Sequence, residues 1–167
     1  MKMRGFLLAC LLPALGFSQP AAGKGPNPSP PDSLQVLTDS LAQVNELHGP
    51  YVGFSGAITA QYKNFGKLVE AATPEDLLQM MDHSNAVVRG YAFWGLAREQ
   101  YDKLDSVLLA HARDEAPVRV IQGGMVTALP LVDFMQWVVN PDMLDGDCKK
   151  LDDSVIDRVA ELRFPDR

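Results

Sequence analysis

Apolar residues recur at helical spacing along most of the chain. Leu34, Leu37, Leu41 and Val44 fall at i, i+3, i+7 and i+10, one face of a helix that the spacing predicts from Asp32 to around Leu47. Residues 49–56 read as a glycine and aromatic loop. Ile58, Tyr62, Phe65 and Val69 then give a second helical stripe, with Ser55 as its expected cap. Thr73, Pro74, Glu75 and Asp76 form a strong helix start: a hydroxyl to accept from an early amide, a proline where no amide is needed, and acids at the positive end of the dipole. That helix is expected to reach about Asp82 and to bury Leu77, Leu78 and Met81. After a turn at residues 83–85, capped by Ser84 or Asn85, another helix runs through Arg98 with Val88, Ala92 and Leu96 on one face.

The pattern then restarts. Leu104, Val107, Leu108 and His111 repeat the first face, Asp114 or Glu115 takes the cap, Pro117 sits in the first turn, and Val118, Ile121 and Met125 predict a second helical face. At an offset of 30 residues, Leu78 matches Leu108, and Val88 and Arg89 match Val118 and Arg119. Gly123 and Gly124 fall inside this expected helix, where each costs about 1 kcal/mol relative to alanine, so the backbone there approaches a neighbour or bends. Leu131, Phe134, Met135 and Val138 outline a further short helix, and Leu151, Val155, Val159 and Leu162 a closing one. Strand-like alternation is not evident over a useful length. The fold class expected is all-α: six or seven short helices paired into a right-handed α-solenoid, with capping helices at both ends.

The hairpin motif, with its acidic turn and a second helix opening on Val88, Arg89, Gly90, Tyr91 and Ala92, resembles HEAT-type repeats, including the short form found in bilin lyase relatives. The resemblance spans roughly residues 73–129. Residues 87–96, with the preceding aromatic loop, are also similar to uncharacterised secreted bacterial proteins of this size, a similarity that supplies no activity. The HEAT-type resemblance implies structural roles for the repeat motif Val88, Arg89, Val118 and Arg119, the arginines bonding to acids or carbonyls of the adjoining turn. Gln122 and the paired glycines depart from the pattern.

The first residues add an address. Lys2 and Arg4 precede an apolar run from Gly5 to Phe17, interrupted only by Pro13, and small residues follow, which reads as a secretory signal peptide over residues 1–18 cleaved near Ser18. A competing reading takes residues 7–10 as a bacterial lipobox with a lipid anchor on Cys10, against which stands the short apolar core before that cysteine. Residues 19–31, rich in Pro, Ala, Gly and Ser, are expected to be a disordered tether, and residues 32–164 a single domain. The expected location is the periplasm or the exterior. Signal removal takes two of the 15 basic residues and none of the 21 acidic ones, deepening the formal net charge from −6 to −8, which disfavours nucleic acid and anionic lipid as partners. Only Cys148 then remains, so stability rests on packing rather than on an internal disulfide.

Chemistry is thinly represented. His48, His83 and His111 stand apart, with neither a His-Glu-x-x-His motif nor paired cysteines to make a metal site. Asp142, Asp145 and Asp147 lack the spacing, the glycine and the closing glutamate of a calcium loop. A nucleophile elbow and a phosphate-cradling loop are both missing, so neither catalytic residues nor a cofactor are expected. The favoured reading is a non-catalytic protein-binding or scaffold domain whose partner meets Tyr91, Trp94 and Arg98 on a concave face. A core position competes for Trp94, because Phe93 and Trp94 cannot both face inward fully on a solenoid helix. Two alternatives remain: an accessory or inhibitor subunit of an envelope complex, and a small hydrolase with its site between the aromatic loop and the acidic turn. The hydrolase would require His48, Cys148 and the carboxylates of residues 142–147 to converge.

Overall fold

The computed structural model describes residues 31–165, apart from residues 141 and 145. The signal peptide, the Cys10 anchor and the tether lie outside this range. In chain order the elements are α1 (Pro31–Val44), β1 (Leu47–Val52), α2 (Ala60–Ala71), α3 (Pro74–Met80), α4 (Ala86–Arg98), α5 (Leu104–Ala110), β2 (Pro117–Gly123), β3 (Met125–Pro130), α6 (Leu131–Val138) and α7 (Asp153–Arg163). The strands form one mixed sheet in the order β1-β2-β3, with β1 parallel to β2 and β2 antiparallel to β3. The fold is therefore α/β, and the expected all-α solenoid is corrected.

The correction lies in the second copy of the repeat. Val118, Ile121 and Met125, read as one helix face, sit on β2 and β3. In β2, Val118 and Val120 are buried while Pro117 and Arg119 are exposed, an alternation of period two that places Val118 inward and Arg119 outward. Three β-branched residues in a row of four favour that pleated surface. Gly123 and Gly124 are not helix glycines: they form the two-residue connection of a hairpin, and Gly123 adopts φ +54°, a region open to glycine without strain. The repeat thus ends after α5, and Val118 and Arg119 share only sequence with Val88 and Arg89.

The first helix is also shorter than its stripe suggested. It stops at Val44, Asn45 turns the chain with φ 56°, and residues 47–52 enter the sheet beside β2, Leu47 opposite Val120. Side chains take up backbone groups at the start of β1 and just before it, and Val52 at its end pairs with Ala57. The His48 amide donates to the Tyr91 hydroxyl at 2.8 Å, and the Glu46 carbonyl accepts from Gln61 Nε2 at 2.9 Å. Burial pushes the Tyr91 phenol above its ordinary pKa, so it stays neutral and can serve as both donor and acceptor.

Helix α4 is the axis of the molecule. Every residue from Tyr91 to Ala97 is buried, because α1, α2, α3, α5, α6 and the first two strands all touch it. A helix apolar all round belongs inside rather than on a solenoid surface. Close approach is built in at Gly90 and Gly95, where an added Cβ would stand 3.1 Å from the methyls of Leu47 and Leu77, respectively. The ends follow local chemistry: Thr73 and Asp76 complete a capping box on α3, and Asn85 accepts from the amides of Val87 and Val88 on α4. Helix α2 is capped by Thr59 instead of Ser55.

At the C-terminal end Arg163 fastens α7. Its guanidinium binds both carboxylate oxygens of Glu115, at 2.6 and 3.0 Å, and also pairs with Asp133 in the first turn of α6. The Arg113 Nε donates to the Leu162 carbonyl at 2.7 Å. Arg163→Ala is expected to lower stability by about 1–2 kcal/mol. Amides of α7 should then exchange faster than those of α4, read by hydrogen exchange; uniform acceleration would show instead that α7 and the core open together.

Candidate functional site

Arg89 occupies the junction between α4 and the turn before β2. Its Nε and Nη2 donate to the two oxygens of Asp114 at 2.8 and 2.9 Å, and its Nη1 donates to the His83 carbonyl at 2.7 Å and the Ser84 carbonyl at 3.2 Å. Burial pushes the Asp114 carboxyl up, but the Arg89 hydrogen bonds and charge outweigh it and hold the pKa below the usual value. Val88, one residue earlier, is fully buried. Arg119 lies elsewhere, on the open face of the sheet, paired with Glu46 at 3.1 Å and more than half exposed.

Tyr91 and Trp94 have no accessible surface. They stack with an interplanar angle of 5°, and Phe65 packs 4.9 Å from Tyr91 and 4.6 Å from Trp94 between ring centroids. Phe134 meets Trp94 edge-on and Tyr62 leans on it from α2. Phe93 is buried as well, since neighbours surround α4 on every side. The concave face expected to hold Tyr91 and Trp94 is therefore interior, and of that trio only Arg98 reaches the surface region.

Arg98 does so at a cleft of about 500 Å³, lined by Pro50, Tyr51, Tyr62, Gln122, Gly123 and Asp147 among others. The aromatic loop and the acidic turn are its two walls. Several local bonds assemble it. The Gly53 amide donates to the Gly123 carbonyl at 2.6 Å, tying the aromatic loop to the hairpin tip. Gln122 Nε2 donates to the Met143 carbonyl at 3.1 Å, and Gln100 Nε2 to the Asp147 carbonyl at 2.9 Å. Buried Leu144, Cys148 and Leu151 anchor the same turn beneath. Arg98 is oriented from below by the Phe65 ring, 5.7 Å from its guanidinium carbon. Gly49 lets β1 pass Gln122, whose side-chain carbon would lie 3.0 Å from an added Cβ.

Tyr62 and Gln122 were not singled out by sequence. Tyr62 looked like one position of a helix stripe, and Gln122 looked like a defect in a helix; pairing with Met125 across the hairpin places it at the cleft. His48 and Cys148 are not among the lining residues. The His48 ring bonds to Thr59 Oγ1 at 2.9 Å and Glu46 Oε2 at 3.1 Å, and Cys148 is buried. Among the described residues, no group of three or more His, Cys, Asp or Glu could hold a metal ion, and no helix is long and apolar enough to cross a membrane.

The loop that supplies Tyr51 to the cleft holds two rings in solvent. Tyr51 is 62% exposed, and Phe54, one residue beyond Gly53, is fully exposed. No protein-family model, curated protein or solved structure matches the chain.

Proposed function

We propose that the chain is a non-catalytic protein-binding module working outside the cytoplasm, and that its partner docks on the cleft between the aromatic loop and the acidic turn. The observation that carries this reading is Phe54, a large ring at a loop tip with its whole surface in water. A partner that covered such a ring would gain about 2 kcal/mol from that side chain, the size of an interface anchor. Tyr51, which lines the cleft, offers a second ring from the same loop, this one with a polar tip, and Arg98 and Gln122 give the cleft the polar groups that fix orientation.

The double variant Tyr51→Ala/Phe54→Ala tests it. Both side chains are exposed, so the melting temperature should stay within a few degrees of the parent. A protein retained by the purified parent chain and identified by mass spectrometry should lose about a hundredfold in affinity for the variant. Retention of the same protein at full affinity would remove the aromatic loop from the reading.

A further inference from the structure

The two edges of the sheet are treated differently. On the free side of β1, Tyr91 takes the His48 amide and Val52 pairs with Ala57. On β3, among the described residues, no hydrogen bond reaches the outer side, and the elements in substantial contact with the strand are β2 and α6. Residues 125–130 carry no charge, bulge or covering loop of the kind that blunts an open edge, only Pro130 at the end.

The ladder tells which groups face outward. Gly53 reaches the Gly123 carbonyl from the β1 side, so residues 119, 121 and 123 of β2 turn toward β1 and residues 118, 120 and 122 toward β3. Pro117 opposite Pro130 fits this parity, because neither can donate an amide there. Met125, Thr127 and Leu129 therefore bond to β2. Val126 and Ala128 direct their amides and carbonyls to the open edge.

We propose that this edge pairs with the same edge of a second copy of the chain, antiparallel about a two-fold axis at Thr127, to make one six-stranded sheet. That register sets Val126 opposite the second copy's Ala128, and Ala128 opposite its Val126, so all four outward backbone groups are satisfied by four mutual hydrogen bonds. The side chains agree with it. Val126, 55% exposed, meets a small alanine; Met125, 70% exposed, meets the second copy's Leu129; Thr127 meets itself, a favourable cross-strand pair. Local charge does not oppose a second copy at this place, although the net charge of the chain works against self-association. The chain is acidic overall, with a formal net charge of −6, and on an uncharged strand two copies meet without opposing like charges.

Sedimentation velocity of the purified protein over a concentration series reads the result. A monomer–dimer equilibrium is expected for the parent, weakened at least about tenfold in Ala128→Lys, which sets the ammonium groups of the two copies near each other across the two-fold, on the face that already carries Arg119. Residue 128 is exposed and its amide is not used by β2, so circular dichroism of this variant should match the parent. Thr127→Cys places two thiols across a non-hydrogen-bonded pair, with Cα atoms about 4.5 Å apart, within disulfide reach. Mild oxidation should link it into dimers, and adding Ala128→Lys should abolish the link. A parent that stays monomeric throughout, leaving the edge to some other protein's strand, would overturn the proposal, as would an undiminished dimer in Ala128→Lys.

Discussion

Replacing Trp94 by alanine is expected to destabilise the protein by about 4 kcal/mol, a large part of the 5–15 kcal/mol typical of a domain. The ring has no accessible surface and touches Phe65, Tyr62, Tyr91 and Phe134, so its removal opens a cavity at the meeting point of α2, α4 and α6. Phenylalanine at the same position should cost far less, about 1 kcal/mol. Its ring keeps most of the aromatic contacts, and it deletes an indole Nε1 that is buried without a hydrogen-bond partner among the described residues. Urea denaturation of the two variants checks the contrast. If Trp94→Ala unfolded at the parent's midpoint but lost partner binding, the ring would belong to a recognition surface and the aromatic core described here would be mistaken.

What the sequence discloses, and what it hides, follows the range of the interactions involved. The α3–α4 hairpin is legible because its signals are local: the capping box at Thr73 and Asp76, the Asn85 cap, and an apolar period within single helices. Helices α6 and α7 are legible for the same reason. Strand β1 is not, since Gly49 and Pro50 lie inside it and its pairing joins Leu47 to Val120, more than seventy residues away. For β2 and β3 the signal is present in Val118, Val120 and Ile121 followed by paired glycines, yet the 30-residue match of Val118 and Arg119 to Val88 and Arg89 favours a helix there. The neighbourhood of the cleft is partly legible, because the aromatic loop and the acidic turn stand out in composition. Its Tyr62 and Gln122 are not, because only the hairpin and the packing of α2 bring them to it. The burial of Tyr91 is equally hidden, while a core position for Trp94 is among the sequence's own readings: a helix apolar on every side has no preferred face until its neighbours are placed.

Arg89→Ala is expected to be the other large loss, about 3 kcal/mol near neutral pH, because it strands a half-buried carboxylate and two turn carbonyls at once. The pH dependence separates these parts. In the parent, the Asp114 pKa is held below the ordinary value of 3.8, so the pair's contribution is fully present above that value and is lost as pH falls through the folded-state pKa. In the variant, the largest lowering partner is gone, and burial, which pushes the carboxyl up, is opposed only by the Ala116 amide and His111, so the charged form of Asp114 is held less well and the carboxyl takes up a proton at higher pH than in the parent. The stability difference between parent and variant should therefore be largest near pH 7 and shrink steadily toward pH 3, measured by urea midpoints at each pH. An undiminished difference at pH 3 would show that the carbonyl bonds to His83 and Ser84, not the Asp114 charge, make Arg89 indispensable. Arg89→Lys distinguishes the same terms differently: it keeps the charge but cannot bind both carboxylate oxygens and both carbonyls, and it should recover less than half of the loss.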